Sequence, residues 1–229
     1  AAVLVRADDA YVQGNQNVTV GITSTSGGNY EALTTTSTVT TVVADDADAT
    51  AVTLTAAANA TEGGSVVYSA TVANAVTGTP LVITLTNGAT ITIPVGQTTA
   101  NSAAVLVRAD DAYVQGNQNV TVGITSTSGG NYEALTTTST VTTVVADDAD
   151  ATAVTLTAAA NATEGGSVVY TATVANAVTG TPLVITLTNG ATITIPVGQT
   201  TANSAAVLVR ADDAYVQGNQ NVTVGITST

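Results

Sequence analysis

The chain alternates apolar and hydroxyl-bearing residues over many short stretches, and this two-residue period is that of a half-buried β-strand. Residues 51–55 read Ala-Val-Thr-Leu-Thr, and residues 65–73 carry an apolar side chain at every second position from Val66 to Val72. No stretch has the 3.6-residue period of an amphipathic helix. The pattern therefore predicts an all-β protein.

The alternation divides about one hundred residues into seven predicted strands. Residues 81–86 and 90–93 flank Asn87-Gly88, a dipeptide that favours the tight turn of a β-hairpin. In chain order the predicted strands are A (51–55), B (65–73), C (81–86), D (90–93), E (103–107), F (119–125) and G (136–145). Seven short strands of Val, Ile and Leu alternating with Thr predict an antiparallel β-sandwich of immunoglobulin-like size. Small aliphatic residues and Tyr68 would form its core.

The sequence repeats itself with a period of 102 residues. A shift by 102 matches all 127 overlapping positions except Ser69, which aligns with Thr171. This period is too long for one solenoid turn and has the size of an independently folding domain, so we expect a tandem array. We place the junction at the Asp cluster 45–48. Residues 1–48 would then be the C-terminal part of a repeat with strands E to G, 49–150 a complete sandwich, and 151–229 the next repeat without its last strand.

A second phase for the domain boundary is open. The domains could run over 26–127 and 128–229, but each would then begin with strand G and bury the Asp-rich linker internally. We prefer the first phase for that reason. In it, residues 34–43 could supply a missing G strand to another molecule. No signal peptide opens the chain, so we expect it to be an internal part of a longer protein.

The composition excludes several classes of function. The chain has no Cys, Met, Trp, Phe, His or Lys, and its only basic residues are Arg6, Arg108 and Arg210. Without His or Cys there is no nucleophilic triad, no ordinary zinc or iron site and no disulfide. A net charge of -13 disfavours nucleic acid and anionic membranes, and no apolar run is long enough for a membrane helix. An acidic, Cys-free chain rich in Thr, Ala, Val and Gly is typical of an extracellular bacterial surface protein.

The acidic residues of the complete repeat all fall in loops or in the linker, whereas Thr and Ser occupy the outward strand faces. In an up-and-down arrangement, the AB loop, the EF loop and the end of strand G meet at one pole of the sandwich. Six carboxylates there would repel one another without cations, and a set of oxygen ligands with Gly nearby favours Ca²⁺ over a transition metal. We predict as Ca²⁺ ligands these six acids and their copies in the partial repeats: Glu62, Asp110, Asp111, Asp147, Asp148, Asp150, Asp8, Asp9, Asp45, Asp46, Asp48, Glu164, Asp212 and Asp213.

The alternative is that these acids are ordinary solvated turn residues. Glu133 is expected in the FG loop at the opposite pole, where it could face the linker 45–48, although we interpret it as a plain surface residue. Arg108, which is close to Asp110, is expected to pair with an acid rather than to bind a partner.

Three acidic segments resemble those of Calx-β domains, which bind Ca²⁺ at one end of a sandwich. They are Thr61 to Tyr68, the run Asp110 to Gln118, and the closing Asp147 to Asp150. Gln115 and Gln118 stand where that family usually has Glu, which implies fewer or weaker ions. The whole chain also resembles the extender repeats of giant bacterial RTX adhesins, of the large adhesion protein type (LapA) of pseudomonads. Repeat length, near-identity of the copies and the ADDADATAVTLTA junction carry this resemblance.

The adhesin resemblance implies type I secretion, attachment to the bacterial outer surface and a role in biofilm formation. We expect a non-enzymatic stalk, stiffened by Ca²⁺, whose partners are the neighbouring repeats of the same chain and not a small-molecule substrate. The rival functions are a Ca²⁺-dependent carbohydrate- or surface-binding module and a glycosidase-like carboxylate pair at Asp110 and Glu62. Glycosidases need two carboxylates across a cleft, and Tyr is the only aromatic residue available for sugar binding.

Overall fold

A computed structural model describes residues 5–229, which form β-strands and no helix. In chain order the strands are β1 (Gln16–Gly21), β2 (Thr38–Val43), β3 (Ala49–Thr55), β4 (Asn59–Thr61), β5 (Ser65–Val66), β6 (Ser69–Val72), β7 (Leu81–Leu85), β8 (Thr90–Ile93), β9 (Thr99–Asn101), β10 (Val105–Leu106), β11 (Gln118–Ser128), β12 (Ala134–Thr136), β13 (Thr140–Ala146), β14 (Val154–Ala158), β15 (Ser167–Val168), β16 (Tyr170–Val174), β17 (Leu183–Leu187), β18 (Thr192–Ile195), β19 (Thr201–Asn203), β20 (Val207–Leu208) and β21 (Ile226–Ser228). The all-β prediction is confirmed. The copy of predicted strand E at residues 1–5 lies almost wholly outside the described residues.

The chain folds as two compact units. The first comprises the residues up to Asp110 together with Gly116–Asp147, and the second comprises Asp111–Gln115 and Asp148–Thr229. The predicted domain bounds at 48/49 and 150/151 stay a prediction. Residues 5–229 contain no helix with the length and apolar character that a membrane span requires.

The first unit contains a complete β-sandwich. Its larger sheet has the strand order β4-β13-β11-β7-β8 and its smaller one the order β12-β3-β6-β9. Most neighbouring strands are antiparallel, but β12 pairs with β3, and β13 with β4, in parallel. Strands β5 and β10 form a short two-stranded ladder, and β1 and β2 form a separate antiparallel hairpin.

The core of this sandwich consists of the inward positions that the alternation predicts. Strand β3 alternates exposed and buried residues along its length, with Val52 and Leu54 inside. Val66 and Tyr68 are buried as predicted, at 2% and 1% exposure. The intervening residues Thr53 and Val67 are exposed, so the two-residue period predicts which side of a strand faces the core, although Thr50 is also buried on that side.

The hairpin predicted at Asn87-Gly88 is confirmed. Leu85 and Ala89 close the turn through a backbone hydrogen bond of 2.8 Å, and the side chain of Asn87 accepts one from the Ala89 N–H. Gly88 has φ = +82°, a conformation that side-chain-bearing residues rarely adopt.

Three strand predictions require correction, and one strand was missed. Predicted strand B is interrupted between β5 and β6, where the chain leaves the short β5–β10 ladder to pair with β3. Predicted strand E is mostly replaced by β9, which pairs with β6 through small and polar residues that carry no alternation. Predicted strand G is divided into β12 and β13, because the chain passes from the smaller sheet to the larger one. The three-residue β4 was not predicted at all.

The second unit repeats part of this architecture. Strands β14, β16 and β19 form one sheet, while β18, β17 and β21 form the other. Its buried cluster again contains a central tyrosine, Tyr170, with Ile185, Ile193 and Ile195.

Candidate metal centre

An arginine closes the loop that carries the Asp-Asp pair in each copy of the repeat. The Nη1 of Arg108 donates a hydrogen bond of 3.0 Å to the carbonyl of Gly116, eight residues later. The same bond joins Arg6 to Gly14 at 2.7 Å and Arg210 to Gly218 at 3.4 Å. We call residues 108–116, and the copies 6–14 and 210–218, the acidic loop.

The second aspartate of the pair shapes the acidic loop. Asp111 accepts a hydrogen bond of 2.8 Å from the backbone N–H of Tyr113 at one carboxylate oxygen and a side-chain hydrogen bond from Gln115 at the other. The copies Asp9 and Asp213 make the same two contacts. Both oxygens of each of these carboxylates therefore accept a hydrogen bond from within the acidic loop.

Glu62, from the loop between β4 and β5, is buried and ion-paired. Its side chain is 1% exposed, and its Oε2 lies 2.8 Å from Nε and 2.7 Å from Nη2 of Arg108. The same guanidinium reaches Asp147 at 3.2 Å. The expectation that Arg108 pairs with an acid is confirmed, and this cation balances part of the acidic charge that the sequence places here.

The pairing recurs in the other copies. Arg6 pairs with Asp45, which is the copy of Asp147, and Arg210 pairs with Glu164, which is the copy of Glu62. The backbone N–H of Gln13, and after it Arg6, lower the pKa of Asp45 below its ordinary value. Asp45 of the linker is thus held ionised by the acidic loop 6–14.

The first aspartate of the pair lies against the glycine turn after Glu62. A Cβ added at Gly63, whose φ is +67°, would come within 3.0 Å of the Cβ of Asp110. The copies Gly165 and Asp212 approach equally closely, at 2.9 Å. Because only glycine leaves this space, the turn fixes where the carboxylate of Asp110 lies beside Glu62.

Asp8, Asp46 and Asp48 form the arrangement best suited to a cation within the first unit. Each offers one carboxylate oxygen, and the three oxygens lie within 4.8 Å of one another. Asp46, and then Asp48, raise the pKa of Asp8 above its ordinary value by charge repulsion. Asp8 comes from an acidic loop and the other two from the linker before β3, so the cluster brings together two segments that are far apart in sequence. Carboxylate oxygens alone fit a hard cation such as Ca²⁺ or Mg²⁺.

Two further predicted ligands lie in the second unit. Asp148 and Asp150 are the copies of Asp46 and Asp48, and they precede β14 as the originals precede β3. Asp110, the copy of Asp8, belongs to the first unit, in which Glu62 and Asp147 also lie.

Glu133 was interpreted as a plain surface residue, and the structure shows otherwise. Its Oε2 accepts a hydrogen bond from the backbone N–H of Asp48, and its Oε1 is buried without a hydrogen-bond partner among the described residues. It therefore faces the linker that carries the acidic cluster. The sequence contained a signal for this position, since only Glu62 and Glu133 among the acids of the repeat lie outside the acidic loop and the linker.

Together, the sandwich and its acidic loops define a β-sandwich protein whose carboxylates, among residues 5–229, lie in loop and linker segments. The family model described as the LapA domain matches residues 48–148 and 150–229, more than three quarters of the chain. The chain belongs to the LapA domain family. A search of curated proteins and a search of solved structures each found no match.

Proposed function

We propose that this chain is part of the stalk of a bacterial cell-surface adhesin, in which its repeats act as structural spacers that project a distal binding domain for surface attachment and biofilm formation. Membership of the LapA domain family supports an adhesin-related function. The near-identity of the copies supports a spacer role, because sites specialised for recognition would tend to diverge. On this proposal the protein is extracellular and has no enzymatic activity.

The finer part of the proposal is that Ca²⁺ stiffens the stalk at the joints between repeats. The observation that carries it is the cluster of Asp8, Asp46 and Asp48. Three carboxylates so close together repel one another, as the raised pKa of Asp8 reflects. A divalent cation bound to all three would replace this repulsion with attraction and tie the acidic loop to the linker.

The position of the linker means that a cation bound to the three carboxylates would act on the sandwich that follows. Asp48 immediately precedes Ala49, the first residue of β3, so a cation at Asp48 would restrain the strand that begins the next sandwich. Glu133 would add to this restraint, because it accepts the backbone N–H of Asp48 from within that sandwich.

The expected affinity fits a protein that works outside the cell. Extracellular Ca²⁺ modules bind with dissociation constants of about 10⁻⁴ to 10⁻³ M. Such sites would be empty in the cytosol and would fill after export, so the chain could be secreted unfolded and fold outside. At a Ca²⁺ concentration 100 times the dissociation constant, the ion would stabilise the folded state by about 2.7 kcal/mol.

The test is thermal unfolding of the whole chain in chelator and in millimolar Ca²⁺, combined with limited trypsin digestion. Trypsin can cut only after Arg6, Arg108 and Arg210, because the chain has no Lys. We expect Ca²⁺ to raise the unfolding midpoint and to slow cleavage at Arg6, the arginine whose acidic loop carries Asp8. Replacing Asp46→Asn together with Asp48→Asn should remove most of the protection at Arg6.

The matched control is Glu31→Gln, which removes one charge from an exposed position outside the cluster and should leave the Ca²⁺ response intact. Equal midpoints and equal cleavage rates with and without Ca²⁺ would contradict the stiffening role. Glycan-array binding that depends on Ca²⁺ and is lost in Asp111→Asn would instead favour the carbohydrate-binding function.

A further inference from the structure

The acidic loop at residues 6–14 docks onto one end of the complete sandwich, within the first unit. The hydroxyl of Tyr11 donates a hydrogen bond of 2.6 Å to the carbonyl of Ala75, in the connection between β6 and β7. The ring of Tyr11 stacks on that of Tyr132, with centroids 5.6 Å apart. We call Tyr11, Tyr132 and the Ala75 carbonyl the tyrosine clasp.

Backbone hydrogen bonds reinforce the tyrosine clasp. Tyr11 and Tyr132 form an isolated antiparallel bridge, in which the Val12 N–H donates to Asn131 at 3.0 Å and the Glu133 N–H donates to Ala10 at 3.2 Å. The side chain of Asn131 adds a hydrogen bond of 3.1 Å to the Val12 carbonyl. Contacts of this kind fix orientation as well as proximity, since antiparallel strand pairing sets both direction and register.

The receiving end of the sandwich is held by the sandwich itself. The hydroxyl of Tyr132 donates a hydrogen bond of 2.6 Å to the carbonyl of Asn74, and its ring packs against the hydrophobic core. Residues 74–75 and 129–133, which we call the tip, are therefore held in shape by contacts within the sandwich.

The acidic loop also has its shape in advance. In the last copy, Tyr215 is 78% exposed, yet its loop still has the Arg210–Gly218 bond and the turn in which Asp213 accepts the Tyr215 N–H. The loop thus holds its tyrosine in place without a partner, and a preorganised element loses less conformational entropy on docking.

The hydrogen bond from the tyrosine hydroxyl recurs one repeat later, within the second unit. Tyr113, the copy of Tyr11, donates a hydrogen bond of 2.7 Å to the carbonyl of Ala177, the copy of Ala75. An arrangement that returns at the same pair of positions in two copies of the repeat reflects the repeat sequence and not an accident of one site.

We propose that the acidic loop of each repeat is a docking element whose partner is the tip of the following repeat, and that the tyrosine clasp joins consecutive repeats without a cation. This rests on the proposed stalk role and adds to it a protein–protein joint that is independent of Ca²⁺. The open loop around Tyr215 is then a docking surface for the tip of one further repeat.

The test measures how firmly the loop is docked, using the whole chain. Because the protein has no cysteine, Ser26→Cys and Thr90→Cys place two spin labels at exposed positions of the first unit, one beyond β1 and one at the start of β8. Double electron–electron resonance in chelator and in millimolar Ca²⁺ measures the distance between the two labels and so reports the population in which the acidic loop has moved away from the tip. Tyr11→Phe removes one hydrogen bond and should raise the undocked population about fivefold, and Tyr11→Ala, which also loses the stacking, by about thirtyfold.

The chain supplies its own matched controls. Tyr30 is the copy of Tyr132 and is 73% exposed, and Tyr215 is the copy of Tyr11. Tyr30→Ala and Tyr215→Ala should leave the distance distribution unchanged. Circular dichroism melting of each variant verifies that the sandwich remains folded, since Tyr11 lies outside its buried core.

The outcomes separate the clasp from the cation. A distance distribution that is narrow for the wild type in chelator and broadens in Tyr11→Ala supports the tyrosine clasp. If Ca²⁺ in addition has no effect on the distribution, the clasp is still supported and the proposed Ca²⁺ role is contradicted. A wild-type distribution that is broad in chelator and narrows only with Ca²⁺ would overturn the clasp and leave the proposed function in place. No change in Tyr11→Ala under either condition would also overturn it.

Discussion

The hairpin β1–β2 and the strand pair β11–β13 have the same sequence and the same register but very different surroundings. Gln16 pairs with Val43 and Gly21 with Thr38, as Gln118 pairs with Val145 and Gly123 with Thr140. Val20, however, is 59% exposed, whereas its copy Val122 is 1% exposed. The difference lies in the opposite sheet, since Val122 belongs to the buried cluster that the larger sheet forms with β3 and β6, and Val20 does not.

This comparison separates what the hairpin determines locally from what the sandwich adds. The pairing register follows from the sequence of the two strands and their connection, because it is identical in both places. The length of the strand does not follow from that sequence, since β1 ends at Gly21 while β11 continues to Ser128 along β7. Burial, and with it most of the stabilisation, comes from packing against the opposite sheet of the sandwich.

The largest expected effect is a charge placed at the two copies of one valine. Val122→Asp should destabilise the first unit by at least about 4 kcal/mol, because it puts an unpaired carboxylate into the core. Val20→Asp should change the free energy of unfolding by no more than about 0.5 kcal/mol. Chemical denaturation of both variants measures the difference, and equal destabilisation would mean that β1–β2 is covered in solution as β11–β13 is.

A smaller effect is expected at a threonine pair. The hydroxyl of Thr143, which is 1% exposed, donates a hydrogen bond of 2.7 Å to the carbonyl of Ala57. Thr143→Val keeps the shape but removes this donor, so it should cost about 1–2 kcal/mol. Its copy Thr41 is exposed, and Thr41→Val should be close to neutral. The same denaturation experiment measures both variants. An unchanged free energy of unfolding for Thr143→Val would show that this hydrogen bond does not stabilise the protein.

The smallest effect concerns Asp8, whose pKa is raised by Asp46 and Asp48. A raised pKa in the folded state means that the stability Asp8 contributes is present below its ordinary pKa of about 3.9 and is lost as the pH rises through the folded value. In chelator at pH 7, Asp8→Asn should therefore unfold at a slightly higher temperature than wild type, and the gap should close at acid pH. In millimolar Ca²⁺ the order should reverse, because the variant loses a ligand.

Melting curves from pH 3 to pH 8, with and without chelator, provide this test, with Glu31→Gln as the variant that removes an exposed charge elsewhere. A destabilised Asp8→Asn in chelator at pH 7 would show that Asp8 is not repelled by its neighbours.

The tyrosine clasp could not be predicted from the sequence. Tyr11 and Tyr132 lie 121 positions apart in loops without periodicity, so no local pattern connects them. The only signal was that a tyrosine recurs at the same place in every acidic loop. The Arg108 ion pair was predictable in kind, because it is the only cation of its repeat, but not in its partners, Glu62 and Asp147.

The sequence alone was enough to predict the strands whose two faces differ. Residues 51–55, 81–85 and 90–93 alternate apolar and polar side chains or flank an Asn-Gly turn, and both signals act over a few residues. It also determined the repeat, and with it which residues would recur in equivalent places. The positions of β4, β9 and the break between β12 and β13 depend on long-range contacts in the folded sandwich. These short segments of small or polar residues have no preference of their own and are set by the neighbouring strand whose backbone groups they satisfy.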